Sequence, residues 1–143
     1  MTEENAELAV RIIHNLETLF EHLAPDVVWD NTVGSPPDHS GLIRGKAAVE
    51  KIIREWVSSW SEYRISVNEV VEAGNDVILD VSESGFGRES GVPLEHRHCY
   101  LWSFRDGLIV SGSEYASKTA ALGAIKGGRL TDEGELSPPP SSG

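Results

Sequence analysis

Two histidines and a tyrosine alternate along a stretch that has the composition of a β-strand. His96, His98 and Tyr100 are each separated by one residue, and Trp102 and Phe104 continue the pattern. Because successive side chains of a strand point to opposite faces, these five would lie together on one face. An imidazole can exchange a proton near neutral pH, and a phenol hydroxyl can donate a hydrogen bond to a developing oxyanion. The sequence therefore predicts that this face is the wall of a pocket in which protons are transferred.

Asp30 is the acidic candidate for the base in such a pocket, and Glu83 and Glu114 are two further carboxylates that could face it. Asp30 follows an apolar run, and Glu83 and Glu114 lie in two further stretches with strand composition. Desolvation in an apolar cavity favours the neutral form of a carboxyl group, so that the group can take up and release a proton. The alternatives are structural: Asp30 would bond the backbone of the following loop, Glu114 would be a solvated strand end, and Tyr100 would be an aromatic wall residue.

The two histidines also have a spacing that can chelate a metal ion. No third ligand has a fixed sequence spacing to His96 and His98, so we expect hydrogen-bonding or general-base histidines, with no metal and no cofactor. Trp56 and Trp60 are four residues apart in an apolar helical stripe. They would pack in the core and also border the mouth of the pocket, where Trp102 would join them as a ligand contact.

Hydrophobic periodicity predicts the elements that position these residues. We expect helices at 3–15, 16–23, 45–59 and 117–125, the first two being either one bent helix or two helices that break near Asn15. We expect strands at 27–33, 63–72, 77–84, 92–104 and 108–115. The last two flank Arg105-Asp106-Gly107, a strong signal for a tight turn. Short connections between strands and helices grouped toward the start predict an α+β fold, with a curved antiparallel sheet wrapped around helices.

The overall composition limits the possible functions. The chain has 143 residues, and we expect one domain at 1–126, a loop at 34–41 and a disordered tail at 127–143. A net charge of −11 argues against nucleic-acid binding. No apolar run is long enough for a membrane span, the first residues are acidic unlike a signal peptide, and the single cysteine, Cys99, fits a reducing cytoplasm.

Several segments resemble the SnoaL-like families of the nuclear transport factor 2 superfamily. They are LAPDVVWDN, RGKAAVEKIIREW, EAGNDVIL, SGVPLEHRHCYLWSFRDGLIV and EYASKTAALGA, which together cover about residues 3–126. The resemblance implies a cone-shaped α+β domain that forms a homodimer through its sheet, and we expect Arg97, Cys99 and Leu101 on that outer face. Where related proteins often carry Tyr-x-Asp, this chain has Tyr115-Ala116-Ser117, so that carboxylate is absent.

The same resemblance suggests roles for single residues. Asp30 lies in a segment similar to the one that holds the catalytic base of ketosteroid isomerases, and Tyr100 lies where those isomerases place an acid in the oxyanion hole. Glu114 and Glu83 fall at or near the catalytic aspartates of limonene epoxide hydrolase. The arginine between those aspartates corresponds to about Val81 here, which leaves the two acids without a positive partner. We expect Val81, Glu83 and His96 to contact the ligand.

We therefore expect a cofactor-independent enzyme that binds a small hydrophobic carbonyl compound. It would catalyse cyclisation or isomerisation by proton transfer, with Asp30 or His98 as base and Tyr100 holding the enolate oxygen. Two alternatives stay open because this fold serves many functions. The first is a non-catalytic module that binds a hydrophobic ligand or dimerises. The second is an epoxide hydrolase that uses Glu83 and Glu114.

Overall fold

The computed structural model describes residues 4–30 and 42–126. The helices are α1 (Asn5–Ile13), α2 (Leu16–Glu21), α3 (Lys46–Ser58) and α4 (Lys118–Lys126). The strands are β1 (Leu23–Asp30), β2 (Leu42–Arg44), β3 (Trp60–Ala73), β4 (Asp76–Gly87), β5 (Pro93–Arg105) and β6 (Leu108–Tyr115). The predicted loop at 34–41, the predicted strand end at 31–33 and the predicted tail at 127–143 lie outside the described residues.

The break predicted near Asn15 is present, and its cause is a helix cap. α1 ends at Ile13, and the side-chain oxygen of Asn15 accepts a hydrogen bond of 3.0 Å from the backbone N–H of Thr18. Such a bond satisfies a donor that has no partner inside the first turn of a helix. The N-terminal segment therefore forms two short helices.

The α+β fold class is confirmed, with one parallel pair that the sequence did not predict. The six strands have the order β2-β1-β6-β5-β4-β3, and neighbours are antiparallel except that β1 runs parallel to β6. A parallel pair needs a long crossover, and here the whole chain between residues 30 and 108 provides it. β2 was not predicted, because three residues are too few for a periodic pattern.

The predicted hairpin forms β5 and β6. Asp106 and Gly107 both have positive φ, 55° and 77°, and Arg105 pairs with Leu108 across the turn. This is the two-residue turn that Asp-Gly favours. It fixes which residues of β6 face which residues of β5.

The inner face of the sheet packs on α1, α2 and α3 and forms the main core, which includes Leu8, Ile12, Phe20, Val27, Val49, Val81, Trp102 and Ile109. The outer face carries a second cluster under α4, where Ile78, Cys99 and Leu101 pack with Ala121. Cys99 and Leu101, expected on an exposed dimer surface, are only 1% and 2% exposed because α4 covers them. The homodimer itself stays a prediction.

None of the helices within the two described ranges is long and apolar enough to span a membrane.

Candidate functional site

A cavity of about 1100 Å³ lies between the inner face of the sheet and α1, α2 and α3. Its apolar wall includes Ile13, Leu16, Trp29, Ile52, Ile65 and Trp102. Its polar wall includes Tyr63, Glu83, His96, His98, Tyr100 and Glu114. The cavity is thus mostly apolar, with a cluster of titratable groups on the wall that the sheet forms, as in many small-molecule sites.

The register of three neighbouring strands brings the residues of the polar wall together. Glu83 of β4 is paired with His96 of β5, and Glu114 of β6 is paired with Tyr100 of β5. His98 lies between these two pairs on the same face of β5. The imidazole of His98 is therefore flanked by a carboxylate from each neighbouring strand.

Glu83 is the most fully enclosed member of this wall, with a side chain that is 0% exposed. Its Oε1 accepts hydrogen bonds from Trp56 Nε1 at 3.0 Å and from the Tyr63 hydroxyl at 2.6 Å. Its Oε2 accepts from the Tyr100 hydroxyl at 3.2 Å and from His98 Nε2. Four donors thus satisfy both oxygens.

These contacts keep Glu83 ionised in spite of its burial. Burial raises the pKa of Glu83, but hydrogen bonds from His98, Tyr63 and Trp56 outweigh it and lower the pKa to about 2. Burial and the neighbouring Glu83 carboxylate raise the pKa values of Tyr63 and Tyr100. Both phenols therefore remain neutral donors.

His98 links the two carboxylates. Its side chain is 3% exposed, with Nε2 against Glu83 Oε2 and Nδ1 against Glu114 Oε2. Burial lowers the pKa of His98, but the hydrogen bonds to Glu114 and Glu83 outweigh it and raise the pKa to about 9. At neutral pH both ring nitrogens therefore donate, and His98 is the positive partner that the two acids were expected to lack.

Glu114 is the carboxylate that is open to the cavity. Its side chain is 22% exposed, and its Oε2 also lies 3.7 Å from His96 Nε2. Within residues 4–30 and 42–126, its other oxygen, Oε1, has no hydrogen-bond partner. This oxygen can accept a proton or a hydrogen bond from a bound molecule.

Asp30 does not lie in this site. Trp29 lines the cavity, and Asp30 does not. Asp30 is in register with Ser113, whose neighbour Glu114 faces the cavity, so strand alternation places Asp30 on the opposite face. The prediction that Asp30 shares a pocket with Tyr100 is therefore wrong.

Two further predicted ligand contacts do not line the cavity either. Val81 is 0% exposed and forms part of the main core beside His98, with which it is in register. Trp60 packs edge-on against Trp56, with ring centroids 5.3 Å apart, and only Trp56 of that pair lines the cavity. Of the predicted residues, the structure brings together His96, His98, Tyr100, Glu114, Glu83, Trp56 and Trp102.

Tyr63 is a site residue that the sequence analysis missed. It lies on β3 beside a β-bulge and donates the shortest phenol hydrogen bond to Glu83. The alternation of Tyr63, Ile65 and Val67 was a usable signal, since Ile65 also lines the cavity. The partner of the Tyr63 hydroxyl could not be deduced, because it lies on another strand.

Solved structures share this fold. A Catenulispora acidiphila protein with a ketosteroid isomerase-like fold, in complex with trimethylamine, aligns with a TM-score of 0.64 at 14% identity and covers 85% of this chain and 92% of its own. A candidate SnoaL-like polyketide cyclase from Mesorhizobium loti aligns with a TM-score of 0.64 at 16% sequence identity, and the alignment covers 79% of this chain and 99% of the cyclase. A candidate isomerase from Bacillus subtilis aligns with a TM-score of 0.61 at 20% sequence identity, and the alignment covers 82% of this chain and 85% of the isomerase.

No curated protein matches the chain. The SnoaL-like domain, in contrast, matches residues 12–112, a span that contains β1 to β5 and most of the polar wall. Because this match covers more than half of the sequence, the chain belongs to the SnoaL-like domain family.

Proposed function

We propose that this protein is an enzyme that transfers protons on a small hydrophobic carbonyl compound, with Glu114 as the base. The observation that carries the proposal is the position of Glu114. One of its oxygens is held by buried His98, its partly exposed side chain lines the cavity, and its other oxygen has no hydrogen-bond partner among the described residues. A general base has to be both oriented and accessible, and Glu114 meets both requirements.

The first chemical step is proton abstraction next to the carbonyl group. Glu114 Oε1 takes the proton, and the electron pair of the C–H bond moves into an enolate. In isomerisation the same carboxyl group returns the proton to another carbon. In aldol-type cyclisation the enolate carbon attacks a second carbonyl, and the proton is returned to the new alkoxide.

The donor to the enolate oxygen is reassigned from Tyr100 to His96. The Tyr100 hydroxyl is directed at Glu83 at 3.2 Å and is thereby committed to that carboxylate. His96 is half-exposed to the cavity, and its Nε2 lies 3.7 Å from Glu114 Oε2. An imidazole N–H at this position is within reach of a substrate that contacts Glu114.

The apolar wall supports a hydrophobic carbon skeleton. The side chains of Trp29, Ile52, Ile65 and Trp102 offer no charge to solvate a polar ligand. The names of the Mesorhizobium loti and Bacillus subtilis structures, a candidate polyketide cyclase and a candidate isomerase, agree with this class of reaction.

Epoxide hydration is a second candidate, which the bridged pair of acids favours. His98 between Glu83 and Glu114 provides a cation between two carboxylates. However, the pKa of Glu83 is lowered to about 2 and both of its oxygens are occupied, so Glu83 holds no proton to give to an epoxide. A mechanism in which Glu114 activates water fits this arrangement, but it needs a proton donor other than Glu83 or His98, whose ring nitrogens are both bonded to carboxylates.

Deuterium exchange tests the favoured function without knowledge of the product. We expect the enzyme in D₂O to catalyse exchange of the α-protons of hydrophobic ketones and diketones, followed by NMR. Glu114→Gln should slow the exchange by about 10²–10⁴-fold, the usual range for loss of a general base. Glu95→Gln, on an exposed side chain outside the cavity, is the matched control and should have no effect.

Two other outcomes would overturn the favoured function. Incorporation of ¹⁸O from labelled water into diols, from a panel of epoxides, without ketone exchange would favour the hydrolase. Binding of the same compounds, measured by tryptophan fluorescence, with neither exchange nor hydration would favour the non-catalytic binding module.

A further inference from the structure

We propose that His96, His98 and Glu114 form a binding site for a divalent transition-metal ion such as Zn²⁺. One nitrogen from each histidine and one oxygen of the carboxylate all lie within 4.8 Å of one another. Two imidazoles and one carboxylate are a donor set that suits zinc and its first-row neighbours. This inference goes beyond the proposed function, whose proton transfer needs no metal ion.

The separations allow an ion to enter with small movements. Metal–ligand bonds of about 2.0–2.2 Å in a tetrahedral site place the ligand atoms about 3.3 Å apart. His96 Nε2 and Glu114 Oε2 are already 3.7 Å apart. His98 Nδ1 is closer to Glu114 and has to separate from it, and Glu114 can retreat because its side chain borders the open cavity.

Glu83 prepares His98 for this role. The carboxylate accepts a hydrogen bond from His98 Nε2, which leaves Nδ1 directed toward Glu114. A carboxylate behind a ligating histidine fixes the ring and strengthens it as a ligand. Glu83 is itself held by Tyr63 and Trp56, so the ring is oriented before any ion arrives.

The bound ion would replace a proton. In the structure His98 Nδ1 is hydrogen-bonded to Glu114 Oε2, and the ion would take the place of the bridging proton between the same two atoms. The two carboxylates, Glu83 and Glu114, offset the added positive charge. Three protein ligands leave at least one coordination position directed into the cavity, where water or a ligand oxygen can bind.

Zinc and cobalt titrations test the site directly. We expect protein stripped with EDTA to bind one Zn²⁺ per chain in calorimetry, and Co²⁺ to give the visible absorption of a low-symmetry site. His96→Ala, at a half-exposed side chain, should weaken binding at least tenfold. Glu83→Gln, which keeps all three ligands, should weaken it by about 10–100-fold.

His22→Ala is the matched control, because His22 bonds the backbone of Thr18 and lies outside the cavity. It should leave the affinity unchanged. Absence of a one-to-one site, or a Zn²⁺ affinity that His96→Ala and Glu114→Gln leave unchanged, would overturn the proposal. The readout requires no turnover, and ketone exchange that persists in EDTA would show that the proposed proton transfer does not depend on the metal ion.

Discussion

The contact between Trp29 and Gly112 gives a sharp test of how the cavity wall is built. A Cβ at position 112 would lie 2.4 Å from Trp29 Cζ3 and 2.6 Å from Cε3. Carbon atoms pack best at about 3.5–4.0 Å, so the ring would have to move by about 1 Å. Trp29 is only 7% exposed and also packs against Trp102, with ring centroids 6.4 Å apart. The ring therefore has little room to retreat.

Gly112→Ala should lower the free energy of unfolding by about 1–3 kcal/mol, the usual cost of overpacking. Urea denaturation followed by tryptophan fluorescence measures it. Gly123→Ala is the control, because a Cβ there meets nothing within 4 Å and the residue lies in α4. That change should stabilise the protein by up to about 1 kcal/mol. A Gly112→Ala protein as stable as the wild type would refute the packing of Trp29 on β6.

Two further predictions concern charges. Tyr63→Phe removes the hydroxyl that donates to buried Glu83 at 2.6 Å, and it should lower the free energy of unfolding in urea by about 1.5–3 kcal/mol. The control Tyr115→Phe should lower it little. Equal effects of the two changes would contradict the hydrogen bond. The Arg97 guanidinium, with Nε 3.0 Å from the carboxylate of Asp80, lowers the pKa of Asp80 below its usual 3.8. A lowered pKa stabilises the fold above pH 3.8, and the stabilisation is lost as the pH falls further. Arg97→Gln should therefore flatten the decline in melting temperature below about pH 4, and an unchanged decline would argue against the pair.

Local pattern was enough to predict one wall of the site. His96, His98, Tyr100 and Trp102 line the cavity together, because strand alternation depends only on the strand that carries them. The Asp-Gly turn likewise predicted the hairpin without knowledge of the rest of the chain. The same rule failed for Asp30, since alternation gives two faces and does not say which one is inside.

Contacts between strands could not be predicted, because they depend on register. Whether Glu83 and Glu114 reach His98 is decided by pairings across β4, β5 and β6, including a shift between Ser103 and Phe104. One residue of slippage would turn a carboxylate to the outer face. The burial of Cys99 similarly depends on how α4 docks on the sheet, and the periodicity of the strands carries no information about that docking.

The two carboxylates bridged by His98 lower the stability that an all-apolar core of the same size would have. Moving an ion pair out of water costs several kcal/mol per ion, and apolar residues of similar volume often replace such pairs without loss of stability. Glu83 and His98 are both almost completely buried, and tyrosine and tryptophan side chains donate hydrogen bonds that hold Glu83 in place. These contacts orient His98, which in turn holds Glu114, the carboxylate of the pair that is open to the cavity. Buried charges that orient one accessible carboxylate are what a site for proton or metal chemistry requires, whereas a pocket that only holds an apolar ligand does not need them.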